Sequence, residues 1–139
     1  MEPAHPLITF HLDRRSGVAP YLQLIQQVKQ FLQLGYLQPG DQLPSVREVV
    51  AQLTINPNTV LRAYHDLELA GLIGSRPGRG MFVLRVPVGP SSATYLALQK
   101  TLADWFREAY AAGIKRENIE ALIAATHYQI TSGTEEESA

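Results

Sequence analysis

Between Pro44 and Val83 the chain reads PSVREVVAQLTINPNTVLRAYHDLELAGLIGSRPGRGMFV, and the punctuation of that stretch constrains the fold more than any other part of the sequence. Ser45 followed three residues later by Glu48 is a capping box, in which the hydroxyl accepts from a first-turn amide while the carboxylate reaches back to the cap amide. A helix is expected to start at Ser45 and to carry Val46, Val49, Val50 and Leu53. Thr54 to Asn56 forms a tight connection, and Asn56-Pro57 is a cap residue followed by proline at the first helical position. The second helix is expected to stop at Gly71. Two short helices joined by a three-residue turn make a helix-turn-helix, whose second helix lies in a DNA major groove.

The second helix divides into two faces. Val60, Ala63, Tyr64 and Leu67 recur at the spacing of a core-facing stripe, which leaves Asn58, Arg62 and His65 pointing outward with Thr59 at their flank. The first turn of such a helix offers free amides and the positive end of the helix dipole to an anion. Asn58 and Thr59 are therefore expected at the groove floor. Leu69 falls on the same outward side and is expected to pack beneath the next element.

That element is a hairpin. Leu72-Ile73 and Met81-Phe82-Val83 are short apolar runs separated by Gly74-Ser75-Arg76-Pro77-Gly78-Arg79-Gly80, which predicts two strands and a turn. The turn holds two arginines and no acid, and its glycines allow close backbone approach to a phosphate or a narrow minor groove. An arginine at an exposed hairpin tip gains nothing from packing, so Arg79 reads as a nucleic-acid contact.

These residues resemble a known family. The run from Gly35 to Glu48, then Asn56-Pro57-Asn58-Thr59-Val60, Tyr64, Leu67-Glu68, Gly71-Leu72-Ile73, Gly78-Arg79-Gly80 and Phe82-Val83 are similar to the winged-helix domain of GntR-family transcriptional regulators, over residues 8 to 84. Asn-Pro-Asn-Thr-Val and the short C-terminal region look most like the YtrA-type subfamily. The resemblance implies a bacterial homodimeric regulator, usually a repressor, on a palindromic operator. It also implies DNA contacts at Ser45, Arg47, Asn58, Thr59, and Arg79 with its flanking Gly78 and Gly80. Arg62 and Arg76 join that set from the outward face and the hairpin. The sequence departs from the family at Leu61, where many members carry arginine.

Composition sets limits on this reading. Of 139 residues, 45% are hydrophobic, enough for one ordinary core and a small appendage. The absence of cysteine excludes disulfides and thiolate metal sites, and with no long apolar run or signal pattern a cytoplasmic protein that avoids membranes is expected. A net charge of −1 argues against a generic basic nucleic-acid binder. The sum hides an asymmetry: residues 1–90 carry eight Lys/Arg against six Asp/Glu, and residues 91–139 carry four against seven. Arg76, Arg79 and Arg85 are expected to make the hairpin region locally positive.

Elsewhere, Ile8 to Leu12 alternates like a strand that would join the hairpin sheet. Pro20 opens a helix with Leu22, Ile25, Val28 and Leu32 as its buried stripe, ended by Gly35. Pro87, Gly89, Pro90 and two serines suggest a linker near residue 88. Beyond it, one helix presents Tyr95, Leu98, Leu102, Trp105, Phe106 and Ala109, and a second presents Ile119, Leu122, Ile123, Thr126 and Ile130. Two helices cannot enclose that much apolar surface, so a dimer interface is expected at Leu98, Leu102, Trp105, Phe106, Ala109, Ile119, Leu122 and Ile123.

The expected architecture is mainly α with a small β-wing: a winged helix-turn-helix over 1–88, a two-helix dimerisation segment over 89–132, and a disordered acidic tail over 133–139. No cofactor or metal is expected, and any small-molecule effector would have to sit at the dimer junction. His5, His11, His65 and His127 are scattered, without metal-ligand spacing or an accompanying catalytic constellation, which disfavours an enzyme. The competing reading is a winged-helix protein-interaction module that does not touch DNA; acids at the hairpin tip would have favoured it, and arginines stand there instead.

Overall fold

The computed structural model describes the backbone of residues 8–138 and the side chains of residues 8–133; His5 lies outside the described residues. Two compact units, Met1–Leu96 and Ala97–Ala139, make up the chain. Their division lies inside a helix.

In the first unit, α1 spans Pro20–Leu34, α2 Val46–Leu53 and α3 Pro57–Leu69, and the strands β1 (Ile73–Arg76) and β2 (Gly80–Val83) complete it. Proline opens α1, and Gly35, at φ 81°, closes it while its amide donates to the Leu32 carbonyl. The buried stripe of α1 is Leu24, Ile25, Val28 and Leu32; Leu22, expected there, is exposed. Both leucines fit a helical period, and the packing of α1 on α3 selects Leu24.

The capping box of α2 is present in full: the Glu48 amide donates to Ser45 Oγ at 3.1 Å and the Ser45 amide donates to Glu48 Oε1 at 3.4 Å. The turn into α3 passes through Thr54, a non-glycine residue at φ 53°. Asn56 Oδ1 then accepts from the Asn58 amide at 2.9 Å, and Pro57 begins α3. Val60, Ala63, Tyr64 and Leu67 are all buried, as their spacing predicts. They meet Phe10, Leu24, Val28, Leu32, Leu37, Leu43 and Val49 in one core, where each fully buried large apolar side chain contributes about 1.5–3 kcal/mol.

Tyr64 joins the motif helices at a second point. Its buried hydroxyl donates to the Pro44 carbonyl, just ahead of α2, at 2.6 Å. Burial, and after it the negative charge of Glu48, push the phenol above the ordinary tyrosine range, so it stays protonated and able to donate.

β1 and β2 pair antiparallel with Ile73 opposite Val83 and Arg76 opposite Gly80, which shortens the turn to Pro77-Gly78-Arg79. Residues 40–43 run along the other side of β2. The Gly40 amide donates to the Val83 carbonyl, the Val83 amide to the Asp41 carbonyl and the Leu43 amide to the Met81 carbonyl, at 2.9, 2.8 and 2.9 Å. This segment takes the place expected for Ile8–Leu12, which forms no strand. Side-chain amides satisfy that N-terminal backbone instead: Gln27 accepts from the His11 amide and donates to its carbonyl, and Gln52 accepts from the Phe10 amide. Phe10 is buried in the core.

The chain continues into α4 (Ser92–Ala111) and α5 (Arg116–Ser138). Gly113, at φ 88°, ends α4 as the Ile114 amide donates back to the Ala109 carbonyl at 3.2 Å. Residues 133–138, expected to be disordered, continue α5 as helix. Glutamate is a strong helix former, and three of them follow Thr134. Among the described residues, no helix is long and apolar enough to cross a membrane.

Candidate nucleic-acid interface

The residues expected at a nucleic acid fall on three stretches of the first unit: the start of α2, the first two turns of α3, and the β1–β2 turn. At the start of α2, Ser45 and Arg47 are exposed. The Ser45 side chain is committed to its cap, and Arg47 has no hydrogen-bond or ion-pair partner among the described residues.

On α3, Asn58 is exposed and Thr59 half-buried. Asn58 uses its backbone amide for the cap, which leaves its carboxamide outward. Arg62 behaves differently from a free surface cation. Its Nη2 donates to the Tyr21 hydroxyl at 3.1 Å, and its guanidinium lies 3.7 Å from the centre of the Tyr21 ring. A residue near the start of α1 thus fixes the direction of an α3 arginine. Leu69, expected beneath the hairpin, is 74% exposed at the last position of α3; the helix ends before the strands turn back, so nothing covers it.

The wing is built from its glycines. Gly78 and Gly80 have φ of 72° and 112°, conformations that side chains rarely adopt. Arg79 lies between them, exposed, its amide donating to the Arg76 carbonyl at 2.9 Å to close the turn. Gln42 Nε2 donates to the Arg79 carbonyl at 2.6 Å. A Cβ on Gly80 would lie 2.8 Å from that same nitrogen, so the clamp requires glycine there. The Arg76 guanidinium stacks over Phe82 at 4.4 Å and stays exposed. Arg85, expected to add to the positive field of the wing, is folded back instead: its Nη2 donates to the Ala70 carbonyl at 2.6 Å and its Nε to the Gly71 carbonyl at 3.1 Å. It closes the C-terminus of α3, where orphan carbonyls attract a cation.

Sequence reasoning missed Gln42 and Tyr21. Gln42 sits inside a recognisable run, Gly40-Asp41-Gln42-Leu43-Pro44, but nothing local reveals that its amide reaches a carbonyl 37 residues away. Tyr21 carried no signal except an aromatic ring beside the helix-opening proline.

In the second unit, Leu98 and Leu102 on α4 and Leu122 and Ile123 on α5 are exposed, while Trp105 and Phe106 are half-buried and meet edge to face at 5.4 Å. Leu102, Trp105, Leu122, Ile123, Thr126 and Ile130 line an open, largely apolar groove of about 490 Å³, which His127 also borders. Ala109 and Ile119 were expected at a partner-facing surface, but both are buried within the chain. Both lie close to the α4–α5 turn, where the helices have just reversed.

Two motif helices, a polar recognition helix and an arginine-tipped wing define a winged helix-turn-helix of the kind found in transcriptional regulators. Comparison with known proteins agrees. Residues 20–83 match the family described as bacterial regulatory proteins, gntR family. The chain is 46% identical over 72 residues to the HTH-type transcriptional repressor YtrA of Bacillus subtilis strain 168, covering 52% of this chain and 55% of that one. It is 37% identical over 89 residues to the HTH-type transcriptional regulator Rv1152 of Mycobacterium tuberculosis H37Rv, covering 64% of this chain and 72% of that one. Among solved structures it is similar to YtrA from Sulfolobus acidocaldarius, a GntR-family transcription factor, with a TM-score of 0.51 and 26% identity over 88% of this chain and 99% of that one. The chain belongs to the GntR family. Its match spans about half the length of the Bacillus YtrA relative.

Proposed function

We propose that this chain is a cytoplasmic, non-enzymatic DNA-binding transcriptional regulator, a homodimeric repressor that binds an inverted-repeat operator. The observation that carries the reading is the wing: an exposed arginine held between two positive-φ glycines at a tip clamped by Gln42. Such a tip is suited to a phosphate or to a minor groove. Arg47 at the start of α2 and Asn58 and Thr59 at the start of α3 supply base-edge contacts, and Ser45, Arg62 and Arg76 with the wing glycines supply backbone contacts. Repression is the activity named for the Bacillus relative, and it suits a short regulator that occludes a promoter.

The segment that follows the linker near residue 88, which includes the second unit, serves for dimerisation. Leu98, Leu102, Trp105, Phe106, Leu122 and Ile123 leave an apolar face that a two-fold partner would cover, and the same axis would pair two half-sites. Any effector would act at that junction.

Two measurements on the full chain test the reading. Fluorescence anisotropy against duplexes from the region upstream of its own reading frame is expected to show saturable binding to one fragment far tighter than to unrelated DNA. Sedimentation is expected to give a dimer that Leu102→Glu with Ile123→Glu converts to a folded monomer. Equal affinity for all duplexes, or for none, would reject the assignment.

A further inference from the structure

Along α3, Asn58, Leu61 and His65 follow one another at steps of three and four residues and so form one exposed row. Asn58 and His65 carry hydrogen-bonding groups. Leu61 carries none, yet it is 52% exposed while Val60 beside it is fully buried. A single exposed leucine on a protein surface is ordinary; the place of this one is what matters. It stands in the second turn of a helix whose N-terminal half is the part that reaches base edges.

The neighbouring cation shares the outward side of α3 but is already engaged. Arg62, one residue on from Leu61, has its guanidinium over the Tyr21 ring at 3.7 Å. Glu68, seven residues and so almost two turns beyond Leu61 and exposed, puts a carboxylate on the same side. Phosphate is disfavoured there, and contact along this side of α3 is confined to its first two turns. An aliphatic side chain neither donates to a base nor accepts from one. In a major groove the feature it matches is the C5-methyl group of thymine.

We propose that Leu61 is a specificity-determining residue that packs on the methyl group of a thymine in each half-site, while Tyr21 holds Arg62 to the DNA backbone and away from the bases. This rests on the DNA-binding reading above and adds to it the base read at one position.

The test uses the full chain and a duplex recovered by selection from a randomised pool, with each thymine replaced in turn by uracil so that only a methyl group is lost. Wild-type protein is expected to bind about fourfold more weakly when one particular thymine per half-site is replaced, the effect of one buried methyl-sized group. Leu61→Ala should abolish that sensitivity. Leu69→Ala, the same change at a more exposed leucine at the end of the helix, should retain it. Uniform indifference to uracil, or equal sensitivity in Leu61→Ala, would overturn the assignment of Leu61 while leaving DNA binding intact. Failure to select any duplex would overturn both.

Discussion

The side-chain amide of Gln42 donates to the backbone carbonyl of Arg79 at 2.6 Å, which ties the wing tip to the segment that enters α2. The hairpin turn is therefore set by a contact from outside the hairpin. Gln42→Ala removes a bond of about 0.5–1.5 kcal/mol, and Gly80→Ala forces a side chain onto φ 112° at a cost of about 1–3 kcal/mol. Both changes are expected to speed amide exchange in β1 and β2 and to weaken operator binding several-fold, with the thermal midpoint of the first unit shifted less. Unchanged exchange and affinity would show that the clamp does not position the wing.

Tyr64→Phe keeps the ring in the core and deletes the donor to Pro44. The carbonyl it leaves is buried, so unfolding free energy should fall by about 1–3 kcal/mol in a urea titration. The same tyrosine makes stability depend on alkaline pH. Its folded value lies above the ordinary tyrosine value of about 10, so its contribution is fully present below pH 10 and is lost as pH rises beyond it, when the unfolded chain ionises first. Wild type should lose stability from about pH 10 upward, and Tyr64→Phe should lose less over that window. Parallel curves for the two proteins would rule out this role.

Thr54 sits in the left-handed region at φ 53°, where a β-branched residue is strained. Asparagine tolerates that conformation, so Thr54→Asn is expected to raise unfolding free energy by about 1 kcal/mol. Thermal melts that give no increase would mean that the hydroxyl compensates for the backbone.

The arginines should separate by salt dependence. Arg79→Ala is expected to reduce the slope of log affinity against log salt by about one unit and to weaken all duplexes alike. Arg47→Ala should cost about 1–3 kcal/mol and relax preference at one base position. Arg62→Ala should resemble Arg79→Ala, whereas Arg85→Ala should alter stability and leave the slope unchanged, because that side chain closes α3.

Much of the first unit was legible because its signals are local. The capping box, Asn56-Pro57, the stripe from Val60 to Leu67 and the glycine that ends α1 each span a few residues, within reach of one helical turn or one reversal. What escaped depends on distant partners. Residues 40–43 carry no strand signal of their own, and their pairing with β2 is decided by chain far downstream. Ile8–Leu12 has a strand-like alternation, yet glutamine side chains on α1 and α2 take its hydrogen bonds. Arg62 and Arg85 read equally well as free cations, and only the positions of Tyr21 and of the α3 carbonyls show what holds them. Leu22 and Leu24 are separated by packing alone, since both satisfy the period.

Selection from a fully randomised duplex pool with the full-length chain tests the central claim most directly, because it presupposes no target. Enrichment of a short two-fold symmetric sequence, its half-sites about one helical turn apart, is the expected result. Repeated rounds that end with a pool as random as the starting one would contradict it.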